Sequence, residues 1–288
     1  MNLCNIQEIQ SLLARHGFHF SRSKGQNFLI QEWVPRLIAE EAGIGPDCGV
    51  LEIGPGIGCL TEQLCARAGR VAAVEVDRNL MPVLAETMAG QDNLNLIQAD
   101  ILKLSLPDLV RENFSGLRAI ACANLPYNIT SPVLAALLES REFESITVMV
   151  QKEVALRIEA AAGTSDYSAF SVFCQYYAVP EILFDVPPDC FIPQPKVTSS
   201  VLRLQMRTEP VCEILDEALF FRIVRASFAQ RRKTLINGLL SVFGQQISKT
   251  ELQTLFQSCG LPVTVRGETL NIPAFAEISN ALYGRFSD

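Results

Sequence analysis

Residues 123–133, ANLPYNITSPV, place an amide, a proline and an aromatic ring directly after an apolar run. Pro126 has no N–H to donate to a neighbouring strand, so we expect the preceding strand to end here. The side-chain oxygen of Asn124 and the backbone carbonyl of Leu125 or Pro126 are acceptors that could bind the two hydrogens of an exocyclic amine. Tyr127 offers a flat face on which an unstacked nucleobase can lie.

These groups fit methyl transfer to the N6 amine of adenine. That amine is a poor nucleophile because its lone pair is delocalised into the ring. Two acceptors would favour a pyramidal nitrogen and localise the lone pair toward a methyl donor, so no strong base is needed before attack. Only His16 and His19 are histidines, which argues against a histidine triad. The alternative is an Asn-Pro loop in which Tyr127 covers the core.

A glycine-rich turn, LEIGPGIG at residues 51–58, follows an apolar run that is typical of a buried strand. Glycines allow a tight turn and close approach of a ligand to the backbone. Glu75 lies 21 residues after Gly54, where a carboxylate can accept hydrogen bonds from ribose hydroxyls. The pattern fits a dinucleotide or S-adenosylmethionine. The third glycine comes one residue earlier than in the dinucleotide fingerprint, and Glu52 adds an acidic rim that favours the cationic sulfonium.

Asp100 ends a third strand-like segment, and Ile101 follows it. The carboxylate could accept a hydrogen bond from an adenine amino group, with Ile101 packed on the ring. Aspartate is also a common helix N-cap, and both interpretations stay open.

The elements that must position these residues alternate between strand and helix, which predicts a doubly wound, Rossmann-like α/β sheet. Ligands in such sheets bind outside the carboxyl ends of the strands, where Glu75, Asp100 and Asn124 fall. Gly69 is expected to end the helix after the glycine-rich turn. Only helical patterns follow residue 206. We therefore predict a methyltransferase domain over residues 1–206 and a smaller all-helical, RNA-recognising domain over residues 207–288.

Composition narrows the class of protein. Hydrophobic residues make up 49% of the 288 residues, enough for a sizeable core. No apolar run is long enough to span a membrane, and the first residues do not resemble a secretory signal, so we expect a cytoplasmic protein. The nine cysteines lack zinc-ribbon or CxxC spacing, and we expect reduced thiols and no metal.

Charge is unevenly distributed along the chain. The net charge is −7, yet residues 218–250 contain no Asp or Glu. Basic residues in and near this stretch are candidates for contacts with an RNA backbone: Arg222, Arg225, Arg231, Arg232 and Lys233. A second basic cluster is formed by Arg15, Arg22 and Lys24. A local field can attract a polyanion to an acidic protein, and the alternative is a solvated helix face.

Taken in order, the motifs resemble those of the ribosomal RNA small-subunit adenine N6,N6-dimethyltransferases. The matching segments include KGQNFL, LEIGPGIGCLTEQL, NLPYNITSPVL, CFIPQPKV and RIVRASFAQRRKTLIN, within residues 22–240. The resemblance implies that the chain dimethylates two adjacent adenosines in the 3′-terminal hairpin of small-subunit rRNA with S-adenosylmethionine. It also implies a monomer that acts on a pre-ribosomal 30S particle during ribosome assembly.

The resemblance also implies roles for individual residues. Asn27 and Leu29 would close over the donor, and Gly54 would meet its amino-acid end. Glu75 would bind its ribose and Asp100 its adenine, while Asn124 would lie where donor and target meet. Phe191, which by itself would be interpreted as a core residue, would be the second aromatic ring that sandwiches the target base.

Three rival functions remain at this point. A related dimethylase acts on one adenine of large-subunit rRNA and confers macrolide resistance, but the long helical tail favours the small-subunit type. A non-catalytic rRNA-binding assembly factor would not need intact Asn124, Tyr127 and Glu75. A dehydrogenase would bind NAD in place of S-adenosylmethionine.

Overall fold

The structure is a computed structural model that describes residues 1–18, 26–230 and 233–285. Arg231 and Arg232 of the expected RNA surface, and Arg22 and Lys24 of the N-terminal basic cluster, lie outside the described residues. The chain forms two compact units. One contains Met1–Ala155 and Val179–Met206, and the other contains Leu156–Ala178 and Arg207–Asp288. The chain passes from the first unit to the second at the expected boundary, residue 206. Residues 156–178, which were expected in the first domain, also belong to the second unit.

Nine strands are present in the described residues. In chain order they are β1 Phe28–Leu29, β2 Cys48–Ile53, β3 Arg70–Glu75, β4 Leu94–Gln98, β5 Arg118–Asn124, β6 Ser145–Gln151, β7 Ala178–Val186, β8 Phe191–Ile192 and β9 Ser199–Met206. Seven strands form one sheet in the order β4-β3-β2-β5-β6-β9-β7, and β1 pairs with β8 separately. β4, β3, β2, β5 and β6 are parallel, while β9 runs antiparallel to β6. The expected Rossmann-like methyltransferase sheet is confirmed.

Twelve α-helices accompany these strands in the described residues. They are α1 Ile6–Arg15, α2 Trp33–Glu41, α3 Cys59–Cys65, α4 Met81–Thr87, α5 Leu106–Asn113, α6 Thr130–Ser140, α7 Lys152–Glu159, α8 Ala169–Tyr177, α9 Glu217–Ala229, α10 Leu235–Phe243, α11 Lys249–Ser258 and α12 Ile272–Leu282. No helix among the described residues is both long and apolar enough to cross a membrane.

The register of the sheet brings the carboxyl ends of its central strands to one edge. Ile53 at the end of β2 pairs with Val74, and Glu75 at the end of β3 pairs with Gln98. All six residues of β2 are buried, as expected for a central strand covered on both faces. The loops that leave β2, β3, β4 and β5 therefore meet above the same edge.

Gly69 is not the helix cap that the sequence predicted. α3 already ends at Cys65 with Ala66 as its C-cap. Gly69 instead donates its N–H to the Cys48 carbonyl at 3.0 Å, and a Cβ here would lie 2.3 Å from the Pro46 carbonyl oxygen. Glycine is required because two backbone segments approach closely, not because a helix ends.

Aromatic side chains form the centre of the second unit. Tyr176 and Tyr177 at the end of α8 donate hydrogen bonds from their hydroxyls to Glu217, at 2.9 and 2.5 Å. Their rings pack near Phe220 and Phe221 on α9, with centroids 5.6 Å apart for Tyr176–Phe220 and 6.1 Å for Tyr177–Phe221. This packing explains why the segment before β7 belongs with the C-terminal helices.

Candidate active site

A cavity lies at the carboxyl edge of the parallel strands, within the first unit. It brings together ten of the residues expected to bind the donor or to act on the target: Asn27, Leu29, Gly54, Glu75, Asp100, Ile101, Asn124, Leu125, Pro126 and Tyr127. These residues come from five separate chain segments, so their proximity is a product of the fold.

The glycine-rich turn adopts a backbone that favours glycine. Gly54 and Gly56 have φ angles of +70° and +62°, which other residues adopt only with strain. A Cβ on Gly56 would also lie 3.1 Å from the Phe28 ring. The turn thus leaves its backbone open to a ligand while Phe28 covers it from the side of β1.

Glu75 is a buried carboxylate at the end of β3, 5% exposed. It accepts hydrogen bonds from the backbone N–H of Asp77 at 2.8 Å and of Gly56 at 3.3 Å. Burial raises the pKa of Glu75, and these two donors partly oppose the rise. Each carboxylate oxygen keeps a further lone pair, so hydroxyl donors of a ribose can still bind.

Two further contacts fasten the segment before β1 over the cavity. The Gln26 side-chain amide donates to Asp77 Oδ2 at 2.9 Å, and Asn124 Nδ2 donates to the Asn27 carbonyl at 3.3 Å. Sequence reasoning did not identify Gln26, because a glutamine gives no signal until its partner 51 residues away is known.

Asp100 is a helix cap that also lines the cavity. Its Oδ1 accepts the Leu102 N–H at 3.2 Å, at the start of the short 3-10 helix Ile101–Lys103. Lys103 Nζ lies 3.5 Å from its other oxygen. The capping interpretation is confirmed, and Ile101 beside it is buried against the cavity. The contact with adenine stays a prediction.

The end of β5 presents two unengaged acceptors. Asn124 uses its Nδ2 in the contact with Asn27, and in the described part of the chain its Oδ1 accepts no hydrogen bond. The Pro126 carbonyl already accepts from Ile129 N–H at 3.1 Å and from the Thr130 hydroxyl at 3.3 Å. The Leu125 carbonyl accepts none from the described residues. Of the two carbonyls left open by the sequence, the Leu125 carbonyl is therefore the available one.

Tyr127 is held at its hydroxyl. The phenol oxygen lies 2.7 Å from Ser199 Oγ on β9. Burial raises the pKa of Tyr127, so it stays a neutral phenol at physiological pH. An anchored hydroxyl holds the position of the ring, which a stacking platform needs.

Phe191 is not brought to the cavity. It is 3% exposed, packs in the core of the first unit and lies opposite Leu29 in the β1–β8 pair. This is the environment of a core residue. A stacking role for Phe191 stays a prediction that requires its ring face to be uncovered.

The charge of the cavity distinguishes between the two nucleoside ligands. Three carboxylates, Glu52, Glu75 and Asp100, line it, whereas none of the described lining residues is Lys, Arg or His. The phosphates of a dinucleotide would meet the carboxylates of Glu75 and Asp100 with no cation among the described lining residues to balance them. A ligand with a sulfonium and an ammonium group fits this set of side chains.

Basic residues of the second unit fall into two kinds. Arg225 on α9 and Lys233 after it are exposed. Arg222 is also exposed but lies over the Phe243 ring at 4.9 Å, so it has a packing role as well. In the first unit, Arg15 of the N-terminal basic cluster forms an ion pair with Glu86.

The sheet, the glycine-rich turn and the acidic cavity define a Rossmann-like, S-adenosylmethionine-dependent methyltransferase. Residues 17–264 match the profile of the ribosomal RNA adenine dimethylase family. The chain belongs to this family, whose enzymes are adenine dimethyltransferases.

Curated relatives match almost the whole chain. It is 45% identical over 280 residues to the Ribosomal RNA small subunit methyltransferase A of Geobacillus thermodenitrificans, covering 96% of each chain. It is 46% identical over 276 residues to the protein of the same name from Bacillus cytotoxicus, covering 95% of this chain and 94% of the relative.

Solved structures show the same fold. The 23S rRNA methyltransferase ErmE superposes with a TM-score of 0.67 at 27% identity, over 88% of this chain and 99% of that one. A dimethyladenosine transferase from Plasmodium falciparum gives a TM-score of 0.77 at 23% identity, over 89% and 98%. The second likeness is one of fold alone.

Proposed function

We propose that this enzyme dimethylates N6 of two adjacent adenosines in the 3′-terminal hairpin of small-subunit rRNA. It acts as a monomer on a pre-ribosomal 30S particle in the cytoplasm and contributes to maturation of the small subunit. The chemistry is supported by two acceptors at the edge of an acidic cavity, Asn124 Oδ1 and the Leu125 carbonyl, which no donor in the described residues engages. The choice of rRNA rests on relatives that are 45–46% identical over nearly their whole length.

In the proposed mechanism the two acceptors bind the two hydrogens of the target amine. The nitrogen lone pair then points away from both acceptors and toward the cavity. Asn124 Oδ1 and the Leu125 carbonyl gain most when positive charge develops on that nitrogen, so they stabilise the transition state more than the ground state. The proton can leave after attack, and no strong base is required.

The donor is held by the other cavity residues. When bound, S-adenosylmethionine supplies an electrophilic methyl group. Glu75 accepts hydrogen bonds from ribose hydroxyls, and Asp100 and Ile101 contact the adenine. Asn27 and Leu29 cover the ligand on the side of β1, and Gly54 lets its amino-acid end approach the backbone.

The target adenine must leave the RNA stack to reach this site. Tyr127 stacks on the extruded base, and Phe191 would complete the sandwich. Phosphates of the hairpin are bound by the exposed basic residues of the second unit, Arg222, Arg225 and Lys233, together with Arg231 and Arg232.

The proposal is tested with purified small subunits that lack these methyl groups. Incubation with the enzyme and S-adenosylmethionine should produce two dimethyladenosines in the 3′-terminal fragment, detected by mass spectrometry of nuclease fragments. Naked 23S rRNA and large subunits are incubated in parallel. Methylation of the large-subunit RNA alone would contradict the proposal and favour the second candidate.

That second candidate, a large-subunit adenine dimethylase, is favoured by the structural likeness to ErmE. The third, a non-catalytic rRNA-binding assembly factor, predicts binding to 30S particles without methyl transfer. The same assay separates all three outcomes.

A further inference from the structure

Glu52 lines the cavity, but it has no role in the proposed methyl transfer. It is the penultimate residue of β2, it lines the cavity, and it is 1% exposed. Among the described residues its Oε2 has no hydrogen-bond partner, and no ion pair reaches it there. A buried carboxyl oxygen without a partner costs stability, so its retention calls for an explanation.

None of the described groups around Glu52 provides a positive charge. The titratable neighbours are Glu75 at the end of β3, Cys59 and Cys65 on α3, and Cys122 on β5. All of them are neutral or negative. Among the described neighbours only Thr61 favours the charged form, and its own hydroxyl lacks a hydrogen bond of normal geometry there.

Burial therefore raises the pKa of Glu52 to about 8, and the Glu75 carboxylate adds to the rise. At pH 7 most ligand-free molecules would therefore carry this carboxyl in its neutral form. A positive charge that entered the cavity would lower the pKa of Glu52 and favour its ionised form.

We propose that Glu52 recognises the charge of the methyl donor by ionising as the donor binds, and that it thereby distinguishes the sulfonium donor from its neutral thioether product. This inference rests on the proposed function, because it takes S-adenosylmethionine as the ligand of the cavity. It makes Glu52 a specificity-determining residue for the donor.

The proton balance follows from the charges of the two ligands. S-adenosylmethionine carries a sulfonium, an ammonium and a carboxylate, a net charge of plus one. S-adenosylhomocysteine has the same amino-acid end without the sulfonium. Donor binding converts the Glu52 carboxylic acid to a carboxylate and releases one proton to solvent. After methyl transfer the sulfur is neutral, Glu52 takes up a proton again, and the product loses the favourable charge interaction.

The pH dependence has a definite sign. The donor binds the ionised form better, so its affinity should rise as pH increases toward the pKa of ligand-free Glu52, about 8, and level off above it. In the steep range below that value the dissociation constant should fall up to about tenfold per pH unit. The product should show a much flatter profile.

Isothermal titration calorimetry at pH 7, in two buffers with different ionisation enthalpies, measures the released protons directly. We expect most of a proton to be released per donor bound to the wild type, and markedly less per product bound. Glu52→Gln keeps the shape of the side chain but cannot ionise. It should lower the proton release on donor binding and reduce the preference for donor over product by about tenfold.

The matched control is Glu62→Gln, which removes an exposed carboxylate on the neighbouring helix α3. It should keep both the proton release and the ligand preference. The sulfonium lowers the pKa of the donor's own ammonium, so protonation changes at the ligand differ between donor and product. They cancel when the wild type and Glu52→Gln are compared with the same ligand. If Glu52→Gln does not fold, the dissociation constants of both ligands between pH 6 and 9 are compared in the wild type and in Glu75→Gln, which removes the other cavity carboxyl whose pKa is raised by burial. A donor profile that keeps its slope in Glu75→Gln supports Glu52, and one that loses its slope there overturns the inference.

Equal proton release with donor and product, or a folded Glu52→Gln protein with an unchanged donor preference, would overturn the inference. Parallel pH profiles for the two ligands in the wild type would do the same. Failure of S-adenosylmethionine to bind the wild type at all would instead overturn the donor assignment within the proposed function. The two failures are therefore distinguishable.

Discussion

At the scale of single residues, the hydrogen bonds that a polar group already accepts within the fold decide whether it is available for chemistry. The Pro126 carbonyl accepts hydrogen bonds within the turn that follows β5, whereas Asn124 Oδ1 and the Leu125 carbonyl accept none from the described part of the chain. The segment with these acceptors could be predicted from the sequence, because an amide, a proline and an aromatic residue follow one another closely there. It could not choose between the two carbonyls, since their partners are defined only by the folded turn.

Asn124→Ala removes the side-chain acceptor and should lower the methyl-transfer rate about 10²–10³-fold. RNA affinity should change less than about tenfold, because phosphate contacts provide most of it. Single-turnover assays on 30S particles at saturating donor measure the rate, and filter binding measures the affinity. Tyr127→Phe keeps the ring and loses only the contact with Ser199, so it tests the anchor of the stacking ring separately from the amide acceptor. A wild-type rate for Asn124→Ala would show that the amide is structural.

Glu75→Ala should weaken binding of S-adenosylmethionine by about 1.5–3 kcal/mol, because a hydrogen-bonding carboxylate is lost. The backbone N–H groups of Gly56 and Asp77 also lose their acceptor, so the thermal midpoint must be recorded alongside calorimetry. Glu75→Gln retains one acceptor oxygen and should have an intermediate affinity. Unchanged affinity in a folded Glu75→Ala protein would remove Glu75 from the donor site.

At the scale of elements, a feature can be predicted from the sequence when the residues that define it are close together along the chain. The apolar runs of β2, β3 and β5 and the turns after them are local signals, and they were predicted correctly. The two-residue strands β1 and β8 pair with each other through Leu29–Phe191 and Phe28–Ile192, residues that are about 163 positions apart in sequence. No local sequence pattern marks either strand. Gly69 was misread for the same reason, since the Pro46 carbonyl that excludes a side chain is distant in sequence.

Gly69→Ala tests this close approach. A methyl group 2.3 Å from the Pro46 oxygen must push apart the segments that lead into β2 and β3. We expect destabilisation near the upper end of the roughly 1–3 kcal/mol typical of overpacking. Gly163→Ala is the comparison, because a Cβ there meets nothing within 4 Å and only its φ of +88° opposes it. Urea unfolding should show a smaller loss, about 1 kcal/mol. A neutral Gly69→Ala would contradict the contact.

At the scale of the whole molecule, an acidic protein is expected to bind RNA through a local basic surface. Replacing Arg225 and Lys233 together with Gln should weaken RNA binding and flatten its salt dependence by about 0.7–0.9 log–log units per lost phosphate contact. Donor affinity should not change. Arg70→Gln, an exposed residue at the start of β3, is the control. An unaltered salt slope for the double variant would identify these two residues as a solvated face.

The second unit should not fold from its C-terminal segment alone. The second unit is built from two chain segments, because Tyr176 and Tyr177 of α8 bind Glu217 and pack on the aromatic rings of α9. A fragment of residues 207–288 lacks α8, so it leaves those rings exposed and should not fold cooperatively. Circular dichroism and thermal unfolding of the fragment check this, with the full chain as the control. A sharp unfolding transition in the isolated fragment would show that residues 156–178 are dispensable and that the C-terminal helices form a domain by themselves.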